Sequence, residues 1–131
     1  TEEIFKLINK NEKSVHLEKF MSFPKSFENK KLNEKWVELK KIRDICNISI
    51  EAKRASKEIG SSLEANLTIN LNEKISNLVE NTDFSELCIT SHAKVEKNKF
   101  EETVATTTKA VGKKCSVCWK INTNGCERHP V

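Results

Sequence analysis

The chain has 131 residues, 37% hydrophobic and 32% charged, with a net charge of +4. A chain of that length supports one modest core, burying about two-thirds of its unfolded surface. No apolar run approaches the ~18 residues of a membrane span, and the start, TEEIFKLINK, lacks the apolar region of a secretory signal. The expected setting is therefore a reducing, cytoplasmic one. The missing initiator Met and the helix-like start read as a segment of a longer protein.

Thr1 before Glu2 and Glu3 predicts a helix start, with a capping hydroxyl and acids near the positive end of the dipole. Ile4, Leu7 and Ile8 mark its apolar face. Residues 11–29, containing VHLEKFMSFP, read as an irregular connection that packs on the core. The strongest periodic element is 31–59. There Leu32, Trp36, Leu39, Ile42 and Ile45/Cys46 recur at helical steps, and Gly60 is placed as a C-terminal stop. A helix of that length would span about 43 Å. In LEANLTINL, Leu63, Ala65, Leu67, Ile69 and Leu71 alternate with polar residues, which predicts a half-buried strand. Residues 73–80 read as a short helix, 85–90 and 103–110 as strands, and SHAKVEKNKFEE as an exposed hairpin region. The expected fold is α+β: a helical hairpin with one long helix, a small mixed α/β layer and a C-terminal zinc knuckle. Its expected divisions are 1–60, 61–112 and 113–131.

Charge is unevenly spread. Residues 1–93 carry 15 basic and 15 acidic side chains, whereas residues 94–131 carry eight basic against four acidic ones. A basic C-terminal third attracts a polyanion, of which nucleic acid is the commonest; a solvated lysine-rich surface has the same composition.

Three of the five cysteines lie in that basic third. Cys115-x-x-Cys118, seven residues and Cys126-x-x-His129 form a Cys3His set. Each two-residue gap lets both ligands of a pair reach one tetrahedral Zn²⁺. Asn124-Gly125 reads as a tight hairpin turn returning the second pair beside the first. Lys113, Lys114, Lys120 and Arg128 would offset the thiolate charge. With no neighbouring acid–base pair, the expected ion is structural, one per chain. Cys46 and Cys88 stand alone in apolar patterns and read as small buried hydrophobes. His16 and His92 are isolated and read as surface or packing residues. Widely spaced glycines (Gly60, Gly112, Gly125) exclude a phosphate-binding glycine loop, and no catalytic grouping stands out.

Several stretches together resemble one family. Trp36…Leu39…Ile42-Arg43…Ile50-Glu51-Ala52…Arg54…Lys57…Ile59-Gly60-Ser61-Ser62-Leu63-Glu64-Ala65 is similar to the long-helix region of bacterial-type isoleucyl-tRNA synthetases. Ser14-Val15-His16-Leu17 and Thr1-Glu2-Glu3-Ile4 resemble the steps before it. Lys114-Cys115-Ser116-Val117-Cys118-Trp119 and Cys126-Glu127-Arg128-His129 resemble the family's zinc knuckle. The likeness covers nearly the whole chain. It departs at His129, where the family has Cys, and at Val117, where Arg is usual. The family's nucleotide-binding signatures are not in this segment.

The resemblance implies a monomeric ligase that joins isoleucine to tRNA(Ile) with ATP in a catalytic domain elsewhere. This segment would close the anticodon-binding helical bundle and dock the anticodon arm. Arg43, Lys53, Arg54 and Lys57 on the long helix could follow a phosphate backbone. Lys113, Lys114, Lys120 and Arg128 add charge at the knuckle, and Trp119 beside Lys120 offers a stacking surface. Two alternatives share the knuckle: the zinc-finger tail of a DNA-repair glycosylase, and a structural interaction domain without RNA affinity.

Overall fold

The computed structural model describes residues 1–11 and 13–129, in two compact units, Thr1–Lys30 and Lys31–Val131. The first unit holds helix α1 (Glu2–Ile8) and single 3-10 turns at Val15–Leu17 and Lys25–Phe27. The expected Thr1 cap is not formed. The Glu2 carboxylate turns instead to the following loop, accepting from Ser14 Oγ at 3.0 Å and the Val15 amide at 3.1 Å. Nor does the 11–29 connection bury its apolar side chains: Phe20, Met21, Phe23 and Phe27 are exposed, as are Ile4, Leu7 and Ile8. A unit of this size has too little chain to enclose a core of its own.

The second unit opens with helix α2 (Lys30–Ala55). Its buried stripe is Leu39, Ile42, Cys46 and Ile50, whereas Leu32 and Trp36, expected to begin the stripe, stay about half exposed. The helix stops before the predicted Ile59. Lys57 takes a left-handed conformation (φ 59°), and the amides of Lys57 and Glu58 donate back to Arg54 and Lys53 carbonyls. The stop expected of Gly60 is thus made by Lys57, while the Gly60 amide donates to the Glu64 carboxylate at 3.0 Å.

Strand β1 (Ala65–Asn72) follows, and its alternation is realised fully: Ala65, Leu67, Ile69 and Leu71 are buried and the residues between them half-buried. It lies at the centre of a three-stranded sheet of order β2–β1–β3, with β2 at His92–Asn98 and β3 at Val104–Lys109. β2 runs parallel to β1, with Leu67 opposite Ala93, and β3 runs antiparallel, with Leu67 opposite Thr107. The buried face of β1 belongs to one cluster with Leu39, Ile42, Cys46 and Ile50 of α2. Ser49 and Thr107, two hydroxyls meeting at 2.8 Å, satisfy each other across that layer.

The crossover from β1 to β2 carries helices α3 (Glu73–Leu78) and α4 (Phe84–Leu87). Asn72 caps α3 by accepting from the Ile75 amide at 2.9 Å. Two sequence expectations fail here. The strand placed at 85–90 is a helical turn, because Asp83 Oδ1 accepts from the Ser85 and Glu86 amides and nucleates α4. The hairpin placed at 91–102 is largely strand β2, whose polar residues suit a sheet edge. Phe84 and Cys88 join the core, and the Cys46 thiol is pushed up by its hydrogen bond to Cys88 and by burial. Both behave as the small hydrophobes expected. Among the described residues no helix is long and apolar enough to cross a membrane.

Candidate metal centre

After β3 the chain forms a two-stranded ribbon, β4 (Lys113–Lys114) and β5 (Ile121–Asn122), with Lys114 opposite Ile121. Between the strands lies the first cysteine pair. The Cys115 amide donates to the Lys120 carbonyl at 2.9 Å and the Trp119 amide to the Cys115 carbonyl at 3.1 Å, closing the loop. Trp119 completes it in a left-handed conformation (φ 64°). The hairpin is therefore built around Cys115–Cys118 and not at Asn124-Gly125. That dipeptide, with Gly125 at φ 87°, turns the chain from β5 toward the second pair. Gly112 is needed for the ribbon to close: a Cβ there would lie 2.3 Å from the Asn122 carbonyl oxygen.

The ribbon brings all four expected ligands together. The sulfurs of Cys115, Cys118 and Cys126 and a ring nitrogen of His129 lie within 4.8 Å of one another. Cys118 Sγ is 3.6 Å from Cys126 Sγ, and His129 Nδ1 is 3.7 Å from Cys115 Sγ and 3.4 Å from Cys126 Sγ. A tetrahedral ion bound at roughly 2.3 Å to sulfur and 2.0 Å to nitrogen needs ligand-to-ligand edges of about 3.5–3.8 Å. These three separations suit such an ion, with His129 Nδ1 in the place a fourth sulfur would take. The Val117 amide donates to Cys115 Sγ at 3.4 Å, stabilising the thiolate a metal requires. The Cys115 thiol is accordingly held down at about 6, by the amides of Cys118 and Val117 foremost. At Cys118 the Lys120 amide pulls the other way, but desolvation and the hydrogen bonds shared with Cys126 and Cys115 leave the thiol raised.

The knuckle is tied to the sheet through β5. The Ile121 amide donates to Ser91 Oγ at 2.6 Å, and His92 Nε2 meets the Ile121 carbonyl at 2.9 Å. Both His92 and His16 are exposed, and His92 is held at the surface by that bond to Ile121.

The nine candidate RNA-contacting residues do not form one surface. One group surrounds Glu64: Lys114 pairs with it at 3.5 Å and lies 6.0 Å from the Trp119 ring centroid, and Lys113 is next to it in β4. Trp119 is 59% exposed. A second group gathers at α4. Arg43 Nε donates to the Leu87 carbonyl at 3.1 Å, and Lys120 and Arg128 reach one oxygen of Glu86 at 2.6 and 3.2 Å. At the end of α2, Lys53 pairs with Glu58 at 2.9 Å and Arg54 with Glu51 at 2.7 Å, while Lys57 holds the helix terminus. Sequence reasoning passed over Glu64, Glu86 and Ser91, because single acidic and hydroxyl residues carry no spacing signal.

No protein-family model matches the chain. Among curated proteins it is 64% identical over 129 residues to an isoleucine–tRNA ligase of Pelagibacter ubique, covering 98% of this chain and 14% of that protein. It is 33% identical over 118 residues to the Bartonella henselae isoleucine–tRNA ligase, and 34% over 107 residues to that of Zymomonas mobilis. Each of these two alignments covers 82% of this chain, and 12% and 11% of the respective relatives. The chain thus spans well under a fifth of the length of the relatives it matches. By likeness along nearly its whole length, it belongs to the isoleucine–tRNA ligase family as a segment of such a protein.

Proposed function

We propose that this segment is a metal-stapled tRNA-docking element of a cytoplasmic, monomeric isoleucine–tRNA ligase. The ion is zinc: three sulfurs and one imidazole nitrogen, gathered within 4.8 Å of one another, are its preferred donor set. It serves a structural role, fixing the loops that carry Lys113, Lys114 and Trp119. These face the anticodon arm of tRNA(Ile), with Trp119 stacking on an unpaired base and the lysines meeting phosphates. Arg43, Lys53 and Arg54 on α2, and Lys57 just beyond its end, offer a separate set of basic groups. The rest of the protein performs the ATP-dependent joining of isoleucine to tRNA, for which this segment brings no catalytic group.

The observation that carries this reading is the exposed Trp119 ring, held in a left-handed turn between Cys118 and the ribbon with Lys114 beside it. An exposed tryptophan on a metal-fixed loop is a rigid stacking surface. The relatives, all isoleucine–tRNA ligases, speak for it over a glycosylase tail. The test is tRNA(Ile) binding by the full-length ligase over a range of salt, with wild type and Trp119→Ala. Loss of one stacked base should cost ~1–3 kcal/mol, about five- to 150-fold in affinity, with the salt slope unchanged. Equal affinity for the two proteins would leave the knuckle a purely structural staple.

A further inference from the structure

We infer that Glu86 is the latch of the metal knuckle, and that Lys120 and Arg128 are its hooks rather than RNA ligands. The inference refines the tRNA-docking reading, since it divides the basic residues of the knuckle between holding and presenting.

The two hooks belong to opposite halves of the metal site. Lys120 follows Cys118 by two residues, and Arg128 immediately precedes His129. Both reach the same Glu86 oxygen on α4, at 2.6 and 3.2 Å, so one carboxylate gathers both ligand pairs onto the α/β unit. The Lys120 side chain is only 19% exposed, poorly available to a phosphate. Its backbone is occupied too, the carbonyl accepting the Cys115 amide. The hydrogen bond from Lys120 and the nearby charges of Lys120 and Arg128 hold the Glu86 carboxyl below its ordinary range. Next to the latch, Ser91 Oγ takes the Ile121 amide, so charge and hydrogen bonding converge on one docking edge. Isolated surface ion pairs contribute little, but here two cations, one of them a partly buried lysine, share one carboxylate oxygen. Lys113, exposed and without an ion-pair partner among the described residues, is left on the presented side with Trp119.

The experiment uses the full-length ligase in its metal-loaded form and two readouts. Hydrogen exchange at the Ile121 amide, recorded without RNA, reports docking; the slope of log tRNA(Ile) affinity against log salt reports phosphate contacts. Glu86→Gln and Lys120→Met are expected to speed Ile121 exchange roughly tenfold with metal content unchanged. Lys120→Met is also expected to leave the salt slope at its wild-type value, because Lys120 meets Glu86 and no phosphate. Lys113→Met should leave exchange alone and reduce the slope by about 0.7. Unchanged exchange in Glu86→Gln overturns the latch. So does a smaller slope in Lys120→Met, which would make Lys120 a phosphate ligand. Were wild type to show no salt-dependent tRNA binding, the docking reading would fall while the exchange arm still judged the latch.

Discussion

The α/β layer and the knuckle hold their shapes by opposite means. In β1 every inward side chain is buried, and it meets a helix stripe of four more buried residues. Among the described residues of 113–129, only Ile121 is a buried hydrophobic. The first region is stabilised by area removed from water, at ~25 cal/mol per Å². The second has too little apolar area for that, and four ligand atoms, three loop backbone hydrogen bonds and a few ion pairs replace it. Stability in one is spread over many residues; in the other it is concentrated on four ligand atoms placed to hold one ion.

The sharpest way to break the comparison is to remove the metal. A structural zinc of this type contributes roughly 10–16 kcal/mol of apparent free energy. A chelator, or Cys115→Ser, is expected to erase hydrogen-exchange protection at Cys115, Trp119 and Ile121 while leaving β1 protected. If β1 lost protection in step, the two regions would be one cooperative unit.

The converse change lies in the core. Leu67→Ala removes a fully buried side chain facing Ala93 and Thr107, and is expected to cost ~2–5 kcal/mol. Exchange at β1 should accelerate accordingly, with the ratio of bound metal to chain unaltered. A variant that lost its metal would show that the core dictates the ligand geometry.

Acidification gives the smallest and most selective effect. Metal binding needs thiolates and neutral imidazole, so affinity falls with pH. Because the Cys118 thiol is raised, it surrenders a proton on binding at neutral pH. Cys115, held down at about 6, is already ionised there and contributes its proton only below that value. A depressed thiol favours the bound state above about 6 and loses that advantage as pH falls through it. Zinc competition titrations of a His129→Cys variant across pH 5–8, with no imidazole ligand to contribute, should therefore steepen by about one proton per ion below 6. A constant slope would mean that Cys115 is not specially ionised.

Legibility in the sequence followed the same division. Regular burial leaves a period, so the β1 alternation and the α2 stripe from Leu39 onward could be read directly. The ligand spacing could be read because tetrahedral geometry restricts it. What could not be read was set by partners far along the chain. β2 is polar because it is an edge strand, and in HAKVEKN only Ala93 and Val95 alternate with polar residues, too short a run to betray its pairing with β1. SELCIT mimics a strand, although Asp83 before Phe84, and Phe84, Leu87 and Cys88 at helical steps, held the cue for α4. Lys57 ends α2 without glycine, helped by Glu58 reaching back to Lys53 and Ser56. The exposed apolar residues of 11–29 show the reverse problem: hydrophobicity alone does not say where a segment is covered.

The five cysteines also divide along this boundary, so the chain carries its own chemical reporters. Cys46 and Cys88 are sealed in the core, 0% and 4% exposed, while Cys115, Cys118 and Cys126 sit in the knuckle. A thiol-reactive dye added after chelation counts knuckle opening through three sulfurs. The remaining two respond only when the core itself opens. Labelling stoichiometry followed in time thus separates local release of the metal loops from global unfolding, with no foreign label introduced.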